Sequence, residues 1–225
     1  MTNLFAIIYL LIKSLLTNNK YIKMLPFIIL LLILNSYINL NSKPCGYMSS
    51  TTVTIMVNGC EYDVKICFDC AFTHPNENSI FISEYNKKPW WCNQTWPYQK
   101  VHEEIEEQIY NWDFLKQYIC LDADLEPCEK QIGVIEFKIS RTICWQKQKR
   151  DDLIYFQPCI ENQSTCIETW RYCYSNLPPI GPTRTFIGSE GEIGECPTPI
   201  NIPPDPINEL EISDCFRLST TKCDE

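Results

Sequence analysis

Histidine and glycine are scarce in this chain: His74 and His102 are its two histidines, and glycine occurs seven times in 225 residues. A serine or cysteine nucleophile that depends on an imidazole base has few places to arise, and no G-x-S-x-G elbow presents one. Glycine loops of the kind that much catalytic chemistry uses are correspondingly sparse. Positive charge is short as well, with 19 Lys plus Arg against 28 Asp plus Glu and a net charge of −9. Proteins that grip nucleic acid need a basic face to displace phosphate counterions, and the one short basic run, Lys147, Lys149 and Arg150, reads as a solvated turn. Nucleic acid is therefore excluded as an expected partner. Beyond residue 42 no long apolar run occurs, and residues 220–225 are polar, so nothing downstream of the N-terminus reads as a membrane anchor.

What the chain has in excess is cysteine. All fourteen lie beyond residue 42, at Cys45, Cys60, Cys67, Cys70, Cys92, Cys120, Cys128, Cys144, Cys159, Cys166, Cys173, Cys196, Cys215 and Cys223. Ahead of them, two apolar runs carry only the charges of Lys13, Lys20 and Lys23. A basic, apolar N-terminus followed by an even number of cysteines predicts export and then oxidation, with the cysteines paired in a secreted or cell-envelope protein. Residues 1–42 are expected to act as a signal peptide, the rival being a retained signal anchor. Residues 4–16 are interrupted by Lys13 and fall short of the roughly 20 residues that span a bilayer. A start at Met24 gives an apolar core over 25–34 and cleavage near Ser36 or Ser42, although Leu34 and Leu40 occupy the −3 positions. Cys45 lacks the small apolar residues that precede a lipidated cysteine. Without the leader, 183 residues carry 16 Lys plus Arg against 28 acids, a net charge of −12. They are expected to divide into a disulfide-stabilised β-rich domain over 43–175 and a Pro-rich extended tail with a cysteine-stapled end over 176–225.

Residues 51–68 alternate apolar and polar side chains around Asn58 and Gly59, a pair suited to the positive φ angles of a type I′ turn. A two-residue loop sets Val57 opposite Cys60, Ile55 opposite Tyr62, Val53 opposite Val64 and Thr51 opposite Ile66 on one side. Met56 with Glu61, Thr54 with Asp63 and Thr52 with Lys65 make the other, solvent-facing side. Further strands are expected over 79–85, 135–143, 153–157 and 166–174. Over 98–120 the period lengthens: Val101, Ile105, Ile109, Trp112, Leu115 and Ile119 recur at three- and four-residue steps, with Glu103, Glu104, Glu106 and Glu107 on the other face, which predicts one long amphipathic helix. Eight of the fifteen prolines fall between Pro178 and Pro206, so residues 176–208 are expected as extended chain. The fold class expected is mainly β with one long helix, an antiparallel sheet or sandwich, disulfide-rich, with an extended Pro-rich C-terminal segment. Cys60 and Cys67 share a strand, where seven residues at about 3.3 Å separate them by roughly 23 Å, far beyond bridging range. The same reasoning keeps Cys166 from Cys173, and the pairing is otherwise open.

Several motifs invite chemistry and each has a plainer reading. Cys67 and Cys70 form the sole C-x-x-C, but it ends a strand instead of opening a helix, and His74 alone does not complete a zinc set, so structural disulfides are expected. His102, Glu103 and Glu104 begin like a zinc-protease helix, yet Glu106 stands where the second histidine belongs, and His102 is expected as a partly exposed helix residue. Asp122, Asp124 and Glu126 resemble the start of a calcium loop, but Pro127 replaces the turn glycine and Gly133 the bidentate acid. Trp90, Trp91, Trp96 and Tyr98 are the candidate ligand platform, since flat apolar faces stack on sugar rings. Asn93 and Asn162 are the candidate glycosylation sites.

These features point to a structural, adhesive or ligand-binding module without catalytic activity, cofactor or metal, whose partner is an extracellular protein or carbohydrate. The alternative is an extracellular hydrolase of the glycosidase kind, which needs only two carboxylates at a set separation.

Overall fold

The computed structural model describes residues 45–46, 48–70, 78–88, 92, 95–119, 124–130, 134–159, 165–191, 194, 196–197 and 202–224. Among these, nine strands form one sheet: β1 (Ser49–Val57), β2 (Cys60–Asp69), β3 (Asn78–Lys87), β4 (Ile135–Thr142), β5 (Cys144–Arg150), β6 (Leu153–Pro158), β7 (Thr165–Ser175), β8 (Gly181–Glu190) and β9 (Phe216–Arg217). The first hairpin is the one its alternation predicts. Asn58 and Gly59 take φ angles of 48° and 75°, the loop holds two residues, and all four expected inward pairs are in register. Val53, Ile55, Val57, Tyr62, Val64 and Ile66 are buried.

β3 is the axis on which the sheet branches. It pairs antiparallel with β2 along one edge. On the other edge Asn78, Ser79 and Ile80 run parallel to β4, while Tyr85 and Asn86 pair antiparallel with β6. One arm then continues through β7 to β8 and the other through β5 to β9. The architecture is thus a single branched, mixed sheet, where an antiparallel sheet or sandwich is expected from the alternation alone. The parallel pair arises because the connection from β3 to β4 carries the helix, and a crossover of that length lets the chain return in the same direction.

That helix is shorter than its periodicity suggests. α1 covers Tyr98–Ile109 and stops at Tyr110, a three-residue helical turn follows at Trp112–Phe114, and a π-helical turn at Leu115–Ile119. Asn111 makes the break: its backbone is extended at φ −74°, ψ 142°, and its side chain accepts a hydrogen bond from the Asp113 amide, capping the next turn. Val101, Ile105, Ile109, Trp112, Leu115 and Ile119 nevertheless all face the core, as the pattern requires. Each fully buried aliphatic side chain contributes roughly 1.5–3 kcal/mol, which outweighs the cost of one interrupted turn.

Residues 144–150 are not a solvated turn. They form β5, the turn being confined to Asp151 and Asp152, and Lys147 is 2% exposed. Its ammonium donates to Pro203 O at 2.6 Å and Asp205 Oδ1 at 2.7 Å and lies 4.9 Å from the centre of the Tyr98 ring. A lysine in a strand with no apolar alternation is buried here because a distant segment supplies its acceptors. The Pro-rich stretch likewise differs from an extended tail. Gly181–Glu190 is the strand β8, at the sheet's edge where Pro182 is tolerated. Farther on, Leu210, Glu211 and Ser213 exchange backbone hydrogen bonds with Lys147 and Lys149, covering the outer side of β5.

Disulfides fix this return. Cys144 joins Cys196, Cys159 joins Cys215 and Cys166 joins Cys223, in chain order on both sides. With Ile143 these cysteines make a second small core. Cys60 joins Cys92 and Cys128 joins Cys173, while Cys45, Cys67 and Cys70 are also disulfide-bonded. No described cysteine is free. Such a density of bridges fits an oxidising, extracytoplasmic environment. Among the described residues no helix is long and apolar enough to cross a membrane.

Candidate functional site

The helix-side face of the β4–β7–β8 arm carries charge where an apolar core is the norm. Along β4 the inward residues are Phe137, Ile139 and then Arg141, and along β7 they are Cys166, Glu168, Trp170 and Tyr172. β8 sets Arg184 beside Tyr172 and Phe186 beside Trp170. α1 lies over part of this face and presents Glu106, Glu107 and Tyr110 to it.

These groups form ion pairs with one another. Arg141 donates to Glu106 at 2.8 Å, and its Nε is 3.0 Å from Glu168 Oε2. Glu168 also accepts from the Trp170 indole and the Lys222 amide, both at 2.8 Å. His102 is fully buried, not partly exposed, because α1 buries a face wide enough to include it: it stacks on Tyr85, meets the edge of Trp145, and its Nε2 lies 3.5 Å from Glu106. Burial alone would raise the Glu106 carboxyl, but His102, Arg141 and Arg184 outweigh it and hold that carboxyl below its ordinary value. Tyr172 donates its hydroxyl to Tyr110 O at 2.7 Å, and burial pushes that hydroxyl up to about 12. Arg184 donates to the same carbonyl at 3.3 Å and pairs with Glu107.

Beside α1 part of the face is uncovered, and three adjoining hollows of about 220, 240 and 350 Å³ make a furrow that runs from this face onto the outer side of α1 and the helical turns after it, where residues 107–118 alone line the third. Arg184 walls the first two, and Glu107, Asn111 and Asp113 wall both the second and third. Trp170, against which Phe186 packs at 5.4 Å, lines the first hollow; the buried rings of Trp112 and Tyr172 back the second; and Phe114 and Tyr118, 4.7 Å apart, line the third. Trp170 and Phe114 are half-buried, whereas Phe186 and Tyr118 are 36% and 46% exposed. The ionic side chains of the walls balance, with Arg141, Arg184 and Lys222 against Glu107, Asp113 and Glu168.

Comparison with protein-family models, with curated proteins and with solved structures finds no match to this chain.

Of the expected platform, Trp90 and Trp91 lie outside the described residues, as do Asn93, Asn162, Cys120, His74 and Asp122. Trp96 lies beneath the Lys100 ammonium at 3.9 Å, and Tyr98 packs on Phe156 at 4.9 Å, so neither reaches the furrow. Asp124 pairs with Lys116 at 2.6 Å and Glu126 with Lys130 at 2.8 Å. The furrow residues left a signal that periodicity can reveal: Arg141 and Glu168 occupy inward positions of alternating strands, between or beyond apolar neighbours.

Proposed function

We propose that this protein is a secreted or cell-envelope, disulfide-stabilised ligand-binding module without catalytic activity of its own, and that its ligand, an extracellular protein or carbohydrate, lies in the furrow. The observation that carries the reading is the row of three adjoining hollows, lined by Trp170 in the first and by Phe114 and Tyr118 in the third, each walled by polar side chains and the first walled by Arg141 and Glu168 of the Glu106–Arg141–Glu168 network. A concave surface of rings with a few placed polar groups is what ligand sites are built from. The same network counts against the glycosidase reading. Both of its buried carboxylates are committed to one guanidinium, and Glu106 is held below its ordinary value, the opposite of the raised carboxyl that a general acid needs.

A photo-reactive benzoylphenylalanine tests this directly. Placed at Tyr118 in the furrow, and separately at the exposed Met56 on β1, it is irradiated in the protein's own extracellular medium and cell surface. The expected result is a discrete adduct from position 118 and none from position 56. Equal yields from the two positions, or none from 118, would overturn the proposal.

A further inference from the structure

We infer that the protein self-associates through β8, the edge strands of two copies pairing antiparallel about a two-fold axis at Thr185. Among the described residues no strand pairs with the outer edge of β8. The other edges are engaged from within the chain: β9 and the backbone of Leu210, Glu211 and Ser213 cover β5, and on β1 the Gln108 side chain donates to the Met56 carbonyl at 3.2 Å. The groups that β8 leaves open follow from its partner strand. Tyr174 donates its amide to Glu126 O and accepts from the Cys128 amide, so it exchanges no backbone bond with Pro182 opposite it. Alternation along an antiparallel pair then turns the backbone groups of Thr183 and Thr185 toward β7 and those of Pro182, Arg184 and Phe186 to the outer edge. Pro182 has no amide to offer there, and a bulge at Ile187 ends the regular stretch, so Arg184 and Phe186 each present both a donor and an acceptor.

That pattern is self-complementary. With Thr185 on the axis, Arg184 of each copy lies opposite Phe186 of the other, and each of these two pairs exchanges two backbone hydrogen bonds. An axis at Arg184 would set two guanidinium groups against each other, which like-charge repulsion disfavours. An axis at Thr185 instead sets each guanidinium beside a ring, an arrangement Arg184 already makes with Trp170 at 5.0 Å. Phe186 and Ile187, 36% and 46% exposed, supply apolar area at the seam. Arg184 is the sole charge between Asn176 and Ser189, so a chain of net charge −9 sets no two carboxylates against each other along the paired stretch. Directly opposed residues project to the same side of an antiparallel sheet, so the two furrows open on one face, and Phe186 of each copy stands beside Arg184 at the first hollow of the other. Pairing of this kind does not depend on what the furrow binds.

Sedimentation velocity of the disulfide-intact protein, from low to high micromolar concentration, is expected to show a reversible monomer–dimer equilibrium. Thr185→Lys and Thr185→Glu each put two like charges face to face on the axis, where the Cα atoms of a pair that shares no hydrogen bonds sit about 4.5 Å apart, and each is expected to weaken dimerisation about tenfold. Mixed in equal amounts, the two variants should recover the dimer as a heterodimer. Thr185 is exposed, so both variants keep the fold. Met56→Lys, at an exposed position opposite Glu61 on the first hairpin, should dimerise as the wild type does. In hydrogen exchange the Arg184 and Phe186 amides are expected to slow as concentration rises, while those of Thr183 and Thr185 stay protected throughout. A protein that is monomeric at every concentration overturns the inference, as does a dimer that both Thr185 variants leave intact or that mixing them fails to restore. Arg184 and Phe186 amides already protected in the monomer would mean that a segment of the same chain covers the edge, and overturn it equally. The adduct at position 118 reports on ligand binding separately, so loss of the dimer leaves that proposal standing.

Discussion

Glu106 is the residue on which the charged face of the β4–β7–β8 arm turns. It is 4% exposed and faces His102, Arg141 and, through the same patch, Arg184. Because its carboxyl is held below the ordinary value of 4.5, its ionised form stabilises the fold above that pH, and the contribution disappears as pH falls through the lowered value. The wild-type protein is therefore expected to lose stability on acidification below about pH 4.5, and Glu106→Gln to lose less over the same interval. At neutral pH that variant should itself cost about 3 kcal/mol, since removing one partner of a buried ionic group leaves the others undercompensated. Chemical denaturation of both proteins at pH 7 and at pH 3 measures both effects. Parallel pH profiles for the two proteins would mean that Glu106 is not held by this network.

At the scale of elements, β5 and the returning C-terminal segment depend on one another. Lys147 ties residues 203–205 to the strand, and the backbone bonds of residues 210–213 cover its outer side. Lys147→Met keeps the apolar stem and removes the ammonium, so it is expected to cost about 1–3 kcal/mol and to speed amide hydrogen exchange in residues 205–213 while leaving the β1–β2 hairpin protected. Uniform exchange across the chain would contradict a local strap. This coupling explains which elements are legible in the sequence. The first hairpin is, because Asn58 and Gly59 fix the loop and eight alternating inward residues fix the faces within one short stretch. β5 is not, since its sequence lacks apolar alternation and acquires its burial from Pro203 and Asp205, more than fifty residues away. The helix lies between these cases. Its apolar stripe is legible to Ile119, but the stop at Tyr110 comes from Asn111 capping the following turn and from Tyr172 and Arg184 taking the Tyr110 carbonyl. The first two hollows of the furrow follow the same rule, since their walls come from segments far apart in the chain.

Over the whole molecule, sulfur and surface charge set the conditions in which the fold works. Three bridges close loops of 52, 56 and 57 residues between the 144–166 region and the C-terminal segment. In the chain-entropy view each restricts the unfolded chain by about 4 kcal/mol, which adds to the packing of Phe216 and Leu218 in fastening that segment. The chain's net charge of −9 leaves the balanced furrow as a neutral strip. Peptide mapping of the protein by mass spectrometry, without reduction and after blocking of free thiols, tests this account most directly. The expected linked pairs are Cys60–Cys92, Cys128–Cys173, Cys144–Cys196, Cys159–Cys215 and Cys166–Cys223, with no blocked thiol. Recovery of these cysteines as alkylated free thiols, or in a different set of pairs, would contradict it.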